Sequence, residues 1–317
     1  MLNRNAEALF WIGRYFERAE NHARLIDVHY HIQQTETHDA ASSRWSRLVD
    51  AIGSRDEYTA RHDDFSEEDV LSFLTLDLEH PNSIYACIYQ ARSNLRMLRQ
   101  QLPSEMWDAA SGFQLWLDEQ TPANILEDPH DFYQRLKEQT ATFLGIEQST
   151  LWREKEWHLI ESGRFLERAE NTVRILKSTA VYCRGSDSSR WYPMLQAVLN
   201  SLSAYQAFRR RFADDMSPAR LLEFLIADPT FPRSALFAFR ELEEHLHGLA
   251  EDSAQRGQGH RIVLRQTGKI KSHLEYLDYE ELDLNRVDPL LDRLIEWCDE
   301  LGGAMRERYF RSEEIRV

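Results

Sequence analysis

Residues 13–24 read GRYFERAENHAR, and residues 163–174 read GRFLERAENTVR. At an offset of 150, Gly13, Arg14, Glu17, Arg18, Ala19, Glu20, Asn21 and Arg24 return as Gly163, Arg164, Glu167, Arg168, Ala169, Glu170, Asn171 and Arg174. A second block follows at an offset of 151, where Phe73-Leu74, Asp77, Pro81 and Ser83 are answered by Phe224-Leu225, Asp228, Pro232 and Ser234. Two matched blocks in one order predict a chain built twice: a single domain over 1–317, with repeat one near 1–150 and repeat two near 151–317.

Each matched block sits in a helical pattern. From Ala6 to about Gln34 there is one Gly and no Pro, and Leu9, Ile12, Phe16, Ala19, Ala23 and Ile26 recur with a 3.6-residue period. That predicts one long helix over 6–34, with a counterpart over 151–182. Further helices are expected over 66–77, 83–101, 104–118, 130–148, 191–211, 218–227, 233–250 and 284–310. Pro81, Pro103, Pro218 and Pro232 stand just ahead of such patterns, and Ser83 and Ser234 suit N-caps. Breaks are expected at 36–65, 119–130, 184–190 and 251–262, with Arg256-Gly257-Gln258-Gly259-His260 the most loop-like stretch. Only 12 Gly and 9 Pro interrupt 317 residues, and no convincing strand pattern emerges. The fold predicted is all-α: a helical bundle built from two tandem pseudo-symmetric repeats.

On a helical wheel, Gly13, Arg14, Glu17, Arg18, Glu20, Asn21 and Arg24 share one sector of about 160°, opposite Ile12, Tyr15, Phe16, Ala19 and Ala23. The polar sector is identical between the copies, while Tyr15, Phe16 and Ala23 become Phe165, Leu166 and Val173. A solvated polar face is free to drift, so this one is constrained. One reading is structural, with Arg and Glu of two packed helices pairing across an axis, because buried charges are tolerated only when paired. The other is a polar cavity, with paired guanidiniums for a carboxylate or phosphate. A metal fits less well. Glu17, Glu20, Glu167 and Glu170 form two ExxE pairs without the histidines of bundle di-iron sites, and arginines lie between them. No metal and no cofactor are therefore expected.

Weaker features stand apart from the repeat. Tyr205–Phe212 is a basic and aromatic cluster that suits either a partner or a solvated helix face. Glu154, Glu156, His158 and Glu161 match no metal spacing and are expected in a solvated turn. HExxH, GxSxG, P-loop and GxGxxG motifs are missing from the sequence. The net charge of −15 argues against nucleic acid and anionic membranes as partners. Cys87, Cys183 and Cys298 form no CxxC pair, which fits a reduced, cytoplasmic protein. No apolar run reaches the roughly 18 residues of a membrane span.

The opening MLNRNAEALFWIGRYFERAENHARLIDV resembles the start of the bacterial alpha-E family, a domain of unknown function. The stretches at 73–110 and 204–239 extend the resemblance over essentially the whole chain. It implies an all-helical cytoplasmic protein whose neighbours are a circularly permuted ATP-grasp ligase-like protein and a transglutaminase-like peptidase. No catalytic residues carry over with it. The expectation is an accessory or scaffold protein acting with an ATP-grasp-type amide ligase. The rival is an enzyme working on a peptide-like substrate through the Glu/Arg clusters. Burial separates them: a closed, mutually paired cluster favours the scaffold, and an open pocket reached by both copies favours a site.

Overall fold

The computed structural model describes residues 3–35, 41–185, 187–188, 191–213, 215–249, 257–278 and 282–310. In chain order the helices are α1 (Asn3–Thr35), α2 (Ala41–Ile52), α3 (Arg55–Thr59), α4 (Glu67–Thr75), α5 (Ile84–Met97), α6 (Ser104–Asp118), α7 (Pro122–Glu127) and α8 (Pro129–Thr150). They continue as α9 (Lys155–Arg184), α10 (Trp191–Ser201), α11 (Tyr205–Phe212), α12 (Pro218–Leu222), α13 (Ala235–Gly248), α14 (Gly257–Glu275) and α15 (Asp288–Met305). π-helical turns at Glu223–Ala227 and Arg306–Phe310 follow α12 and α15. No strand occurs among the described residues, so the fold is all-α as the periodicity predicts.

The two long helices, α1 and α9, pack on each other at the centre. Gly13 and Gly163 set how closely. A Cβ on Gly13 would lie 1.9 Å from the Ile160 carbonyl oxygen, and one on Gly163 would lie 2.0 Å from that of Phe10. α5 and α8 flank α1, α13 and α15 flank α9, and α6 and α14 cover α5 and α13 from outside. The apolar stripe Leu9, Ile12, Phe16, Ala19, Ala23 and Ile26 is buried along α1, and Phe16 stacks on Phe143 of α8 with ring centroids 3.6 Å apart.

Equivalent caps start α5 and α13. Ser83 Oγ accepts the Ala86 N–H and donates to the Asp77 carbonyl, and Ser234 Oγ accepts the Phe237 N–H and donates to the Asp228 carbonyl. The sequence-level reading fails in four places. The expected break at 36–65 contains α2 and α3, because Trp45, Leu48 and Val49 bury one face. The expected break at 119–130 holds α7, started by a Thr121–Asn124 capping box. The single helix expected over 191–211 divides into α10 and α11, with Ser203 at φ 51 between them. The loop-like run at 256–260 becomes helical from Gly257, since Val263, Thr267, Ile270 and Leu274 anchor α14. Arg256 lies outside the described residues.

Candidate functional site

The repeated polar face lies inside the molecule, at the α1–α9 crossing. Arg18 donates from Nε and Nη2 to both oxygens of Glu167, at 2.7 and 2.9 Å, and Arg168 does the same to Glu17, at 2.8 and 2.7 Å. These are bidentate fork pairs, the strongest neutralisation that a guanidinium offers a carboxylate. Arg14 also donates to Glu167, at 2.5 Å, and to Glu170, at 2.7 Å. Farther along each helix, Arg24 bonds Glu20 and Arg174 bonds Glu170, four residues back in both cases. Glu17 is 2 % exposed and Glu167 6 %. Burial alone would raise both carboxyls. The Arg168 charge and hydrogen bond, with help from Arg233, instead hold Glu17 at about 2. Arg14 and Arg18 hold Glu167 at about 2 as well.

Two loop residues complete the network, and neither was anticipated from the sequence. Arg233 donates to Asn21 at 2.9 Å, to Glu20 at 2.8 Å and to Glu17 at 3.4 Å. Asn82, its counterpart between the matched Pro81 and Ser83, accepts from Arg18 at 2.6 Å. The flanking Pro and Ser were visible signals, but the residue between them differs in the two blocks. The matched positions His22 and Thr172 differ in chemistry: Thr172 Oγ1 donates to the Arg233 carbonyl at 3.0 Å, while His22 is buried near the Arg18 charge, and burial pulls its imidazole down to about 3.

Arg164 breaks the parallel with Arg14. It turns away from α1 and pairs with Glu161 on its own helix and with Glu147 on α8. The position three residues earlier explains why: it is Glu161 in α9 and Trp11 in α1, and Arg14 lies over the Trp11 ring at 5.6 Å. Glu161 thus lies in the core rather than in a solvated turn. It accepts Gln148 Nε2 at 2.8 Å, with the His245 Nε2 4.0 Å away, and His158 Nδ1 stands 3.2 Å from His245 Nδ1. Glu147 is fully buried, and burial pushes its carboxyl up to about 7 despite the Arg164 charge. Asn171 forms no hydrogen bond in this network with a described residue, unlike Asn21, which donates to Glu17 at 3.3 Å.

Glu17 and Glu167 are buried and each is bound by more than one arginine, which holds both carboxyls well below the near-neutral range of a general base. Among the described residues no group of three His, Cys, Asp or Glu side chains is placed to hold a metal ion. In the Tyr205–Phe212 cluster the aromatics turn inward. Phe208 is fully buried and packs against Phe212 and Phe224, while Arg211 pairs with Asp228 at 2.7 Å and Arg209 and Arg210 stay exposed.

An all-helical protein organised around two crossed helices with interlocked Glu-Arg pairs is the class defined by this fold and site. The chain belongs to the Alpha-E family, described as a predicted alpha-helical domain with a conserved ER motif, whose model matches residues 1–310. It is similar to uncharacterized proteins of Mycobacterium bovis and Mycobacterium tuberculosis, each 24% identical over 94% of this chain. The chain spans only 35% of the length of those relatives. No solved structure matches it. Among the described residues no helix is long and apolar enough to cross a membrane.

Proposed function

We propose that this chain is an accessory or scaffold protein, with a body locked by the α1–α9 charge network, and that it acts with an ATP-grasp-type amide ligase. The observation behind the scaffold half is closure: both bidentate pairs are buried at the crossing, and the carboxylates have their acceptor capacity taken by arginines. An active site built on Glu17 and Glu167 would need an opening and a carboxyl able to take a proton near neutrality. The ligase half rests on the family resemblance, with a transglutaminase-like peptidase as a second candidate partner. The relatives carry about twice as much additional chain as the matched segment, which suits a domain that works beside others. The same reading takes residues 1–317 as one cytoplasmic domain of two duplicated halves. The matched caps, the reciprocal pairs and the paired glycines support it.

Co-expression with the ATP-grasp-like neighbour tests the reading. Co-elution on gel filtration, with amide ligation that depends on this chain, is the expected result. Separate elution with unchanged ligase activity sinks the partner model. Peptide turnover by the isolated chain, abolished in Glu17→Gln or Glu167→Gln, replaces it with the enzyme.

A further inference from the structure

A cavity of about 710 Å³ opens away from the charged crossing, among α1, α2, α9, α10 and α15. Leu25, Val28, Ile175 and Val198 are among the residues of its apolar wall, and Arg174 and Lys177 of α9 stand in its polar part. Its size falls within the roughly 300–1,000 Å³ of small-molecule sites.

The two halves differ here in one atom group. Arg24 and Arg174 both spend Nε and Nη2 on the glutamate four residues earlier. Arg24 then donates from Nη1 to Ser203 Oγ at 2.5 Å, and Ser203 occupies the turn after α10 at φ 51. At the offset of 150, the turn after α2 holds Gly53, at φ 79. A Cβ on Gly53 would lie 3.7 Å from Arg174 Nη1, so this is where the missing hydroxyl would stand. Among the described residues Arg174 Nη1 has no acceptor, and both Arg174 and Gly53 line the cavity.

Each carboxylate lining the cavity has a cation beside it, and two of the three are hydrogen-bonded to theirs. Asp50 accepts from Arg55, Asp292 from Lys177, and Glu296 lies 3.8 Å from Arg293. A cationic ligand would meet a cation already beside each of these carboxylates, whereas an anion meets a guanidinium edge that is ready to donate. We propose that the cavity binds a small molecule with an oxyanion headgroup, carboxylate or phosphate, on an apolar body. Arg174 Nη1 takes the headgroup, and the Leu25, Val28, Ile175 and Val198 wall takes the body.

Calorimetric titration of the full chain with decanoate, decyl phosphate, decanol and decyltrimethylammonium tests this. The expected result is saturable one-site binding of decanoate or decyl phosphate, with decanol and the ammonium at least tenfold weaker. The tighter of the two anions identifies the headgroup. Arg174→Gln should weaken binding at least tenfold, and Gly53→Ser should weaken it by supplying Nη1 with the hydroxyl that Ser203 gives Arg24. Ser178→Trp, which fills the cavity without changing a charge, should abolish binding, with circular dichroism confirming that each variant is folded. Decanol binding as tightly as the anions, unchanged affinity in folded Arg174→Gln or Ser178→Trp, or no saturation by any anion at millimolar concentration would each overturn the proposal.

Discussion

Arg168 lays Nε and Nη2 against the two carboxylate oxygens of Glu17, at 2.8 and 2.7 Å, with the Glu17 side chain only 1 % exposed. Arg18 treats Glu167 in the same way in the opposite direction. The pairs bridge helices 150 residues apart in sequence, so they act on tertiary structure rather than on either helix alone.

Removing one guanidinium leaves its carboxylate dry and underpaired. Arg168→Ala should therefore destabilise the chain by about 3–5 kcal/mol, toward the lower figure because Arg233 still faces Glu17 at 3.4 Å. The exposed Arg55–Asp50 pair is the control, and Arg55→Ala should cost about 0–1 kcal/mol. Urea unfolding curves measure both. Equal midpoints for the two variants would contradict a buried network.

Acid should unfold the chain in a staged way. His22 is held at about 3 and His29, His80 and His245 at about 4, burial being the main cause in each. The unfolded chain takes up these protons near 6.5, so the stabilisation is full above that pH and is lost as pH falls toward 3–4. Glu17 and Glu167, at about 2 against 4.5 when unfolded, add a second loss between about 4.5 and 2. The urea midpoint should fall steadily from pH 6.5 downward. A midpoint that stays flat from pH 7 to 3 would contradict this.

Glu147 works in the other sense. Its carboxyl is raised to about 7 from 4.5, so its contribution is full below about 4.5 and is lost as pH rises through about 7. Glu147→Gln keeps the shape and removes the titration. Its melting temperature relative to the parent should rise between pH 5 and pH 8. A relative melting temperature that falls over that range would show Glu147 to be an ordinary ionised partner of Arg164.

The central crossing was legible in the sequence because the two copies match on their polar face, and identical charges on packed helices predict reciprocal pairing. Partner choice at Arg164 was not legible, because identity at the arginine concealed the exchange of Trp11 for Glu161 beside it. Arg233 and Asn82 lie in capping loops, where helical periodicity gives no information. α2 is masked in the sequence although Trp45, Leu48, Val49 and Ile52 keep helical spacing, since the polar residues around 36–40 and 53–64 dominate that stretch. α14 was hidden by Gly257 and Gly259 at its start, which read as a loop until Val263, Ile270 and Leu274 have a surface to bury against.

Gly13 and Gly163 recur at matched positions for a reason that the helical wheel does not show. The wheel places both in the polar sector, whereas the structure puts them where the α1 and α9 backbones touch. A methyl group at Gly13 would meet the Ile160 carbonyl oxygen at 1.9 Å and the Arg164 nitrogen at 2.9 Å, and neither atom can turn aside as a side-chain tip could. Gly13→Ala must therefore push α9 away, which lengthens the Arg18–Glu167 and Arg168–Glu17 bonds together. The cost should reach or exceed about 3 kcal/mol, the upper end of ordinary overpacking. Gly163→Ala should cost a similar amount through the Phe10 carbonyl, and the double variant should cost less than the sum, because the first substitution has already opened the crossing. Gly112→Ala and Gly145→Ala, in α6 and α8 with nothing within 4 Å of the added methyl, should instead stabilise by about 0.5–1 kcal/mol. Urea midpoints for the five variants decide the matter, and a Gly13→Ala chain as stable as the parent would show that the two backbones do not meet at this residue.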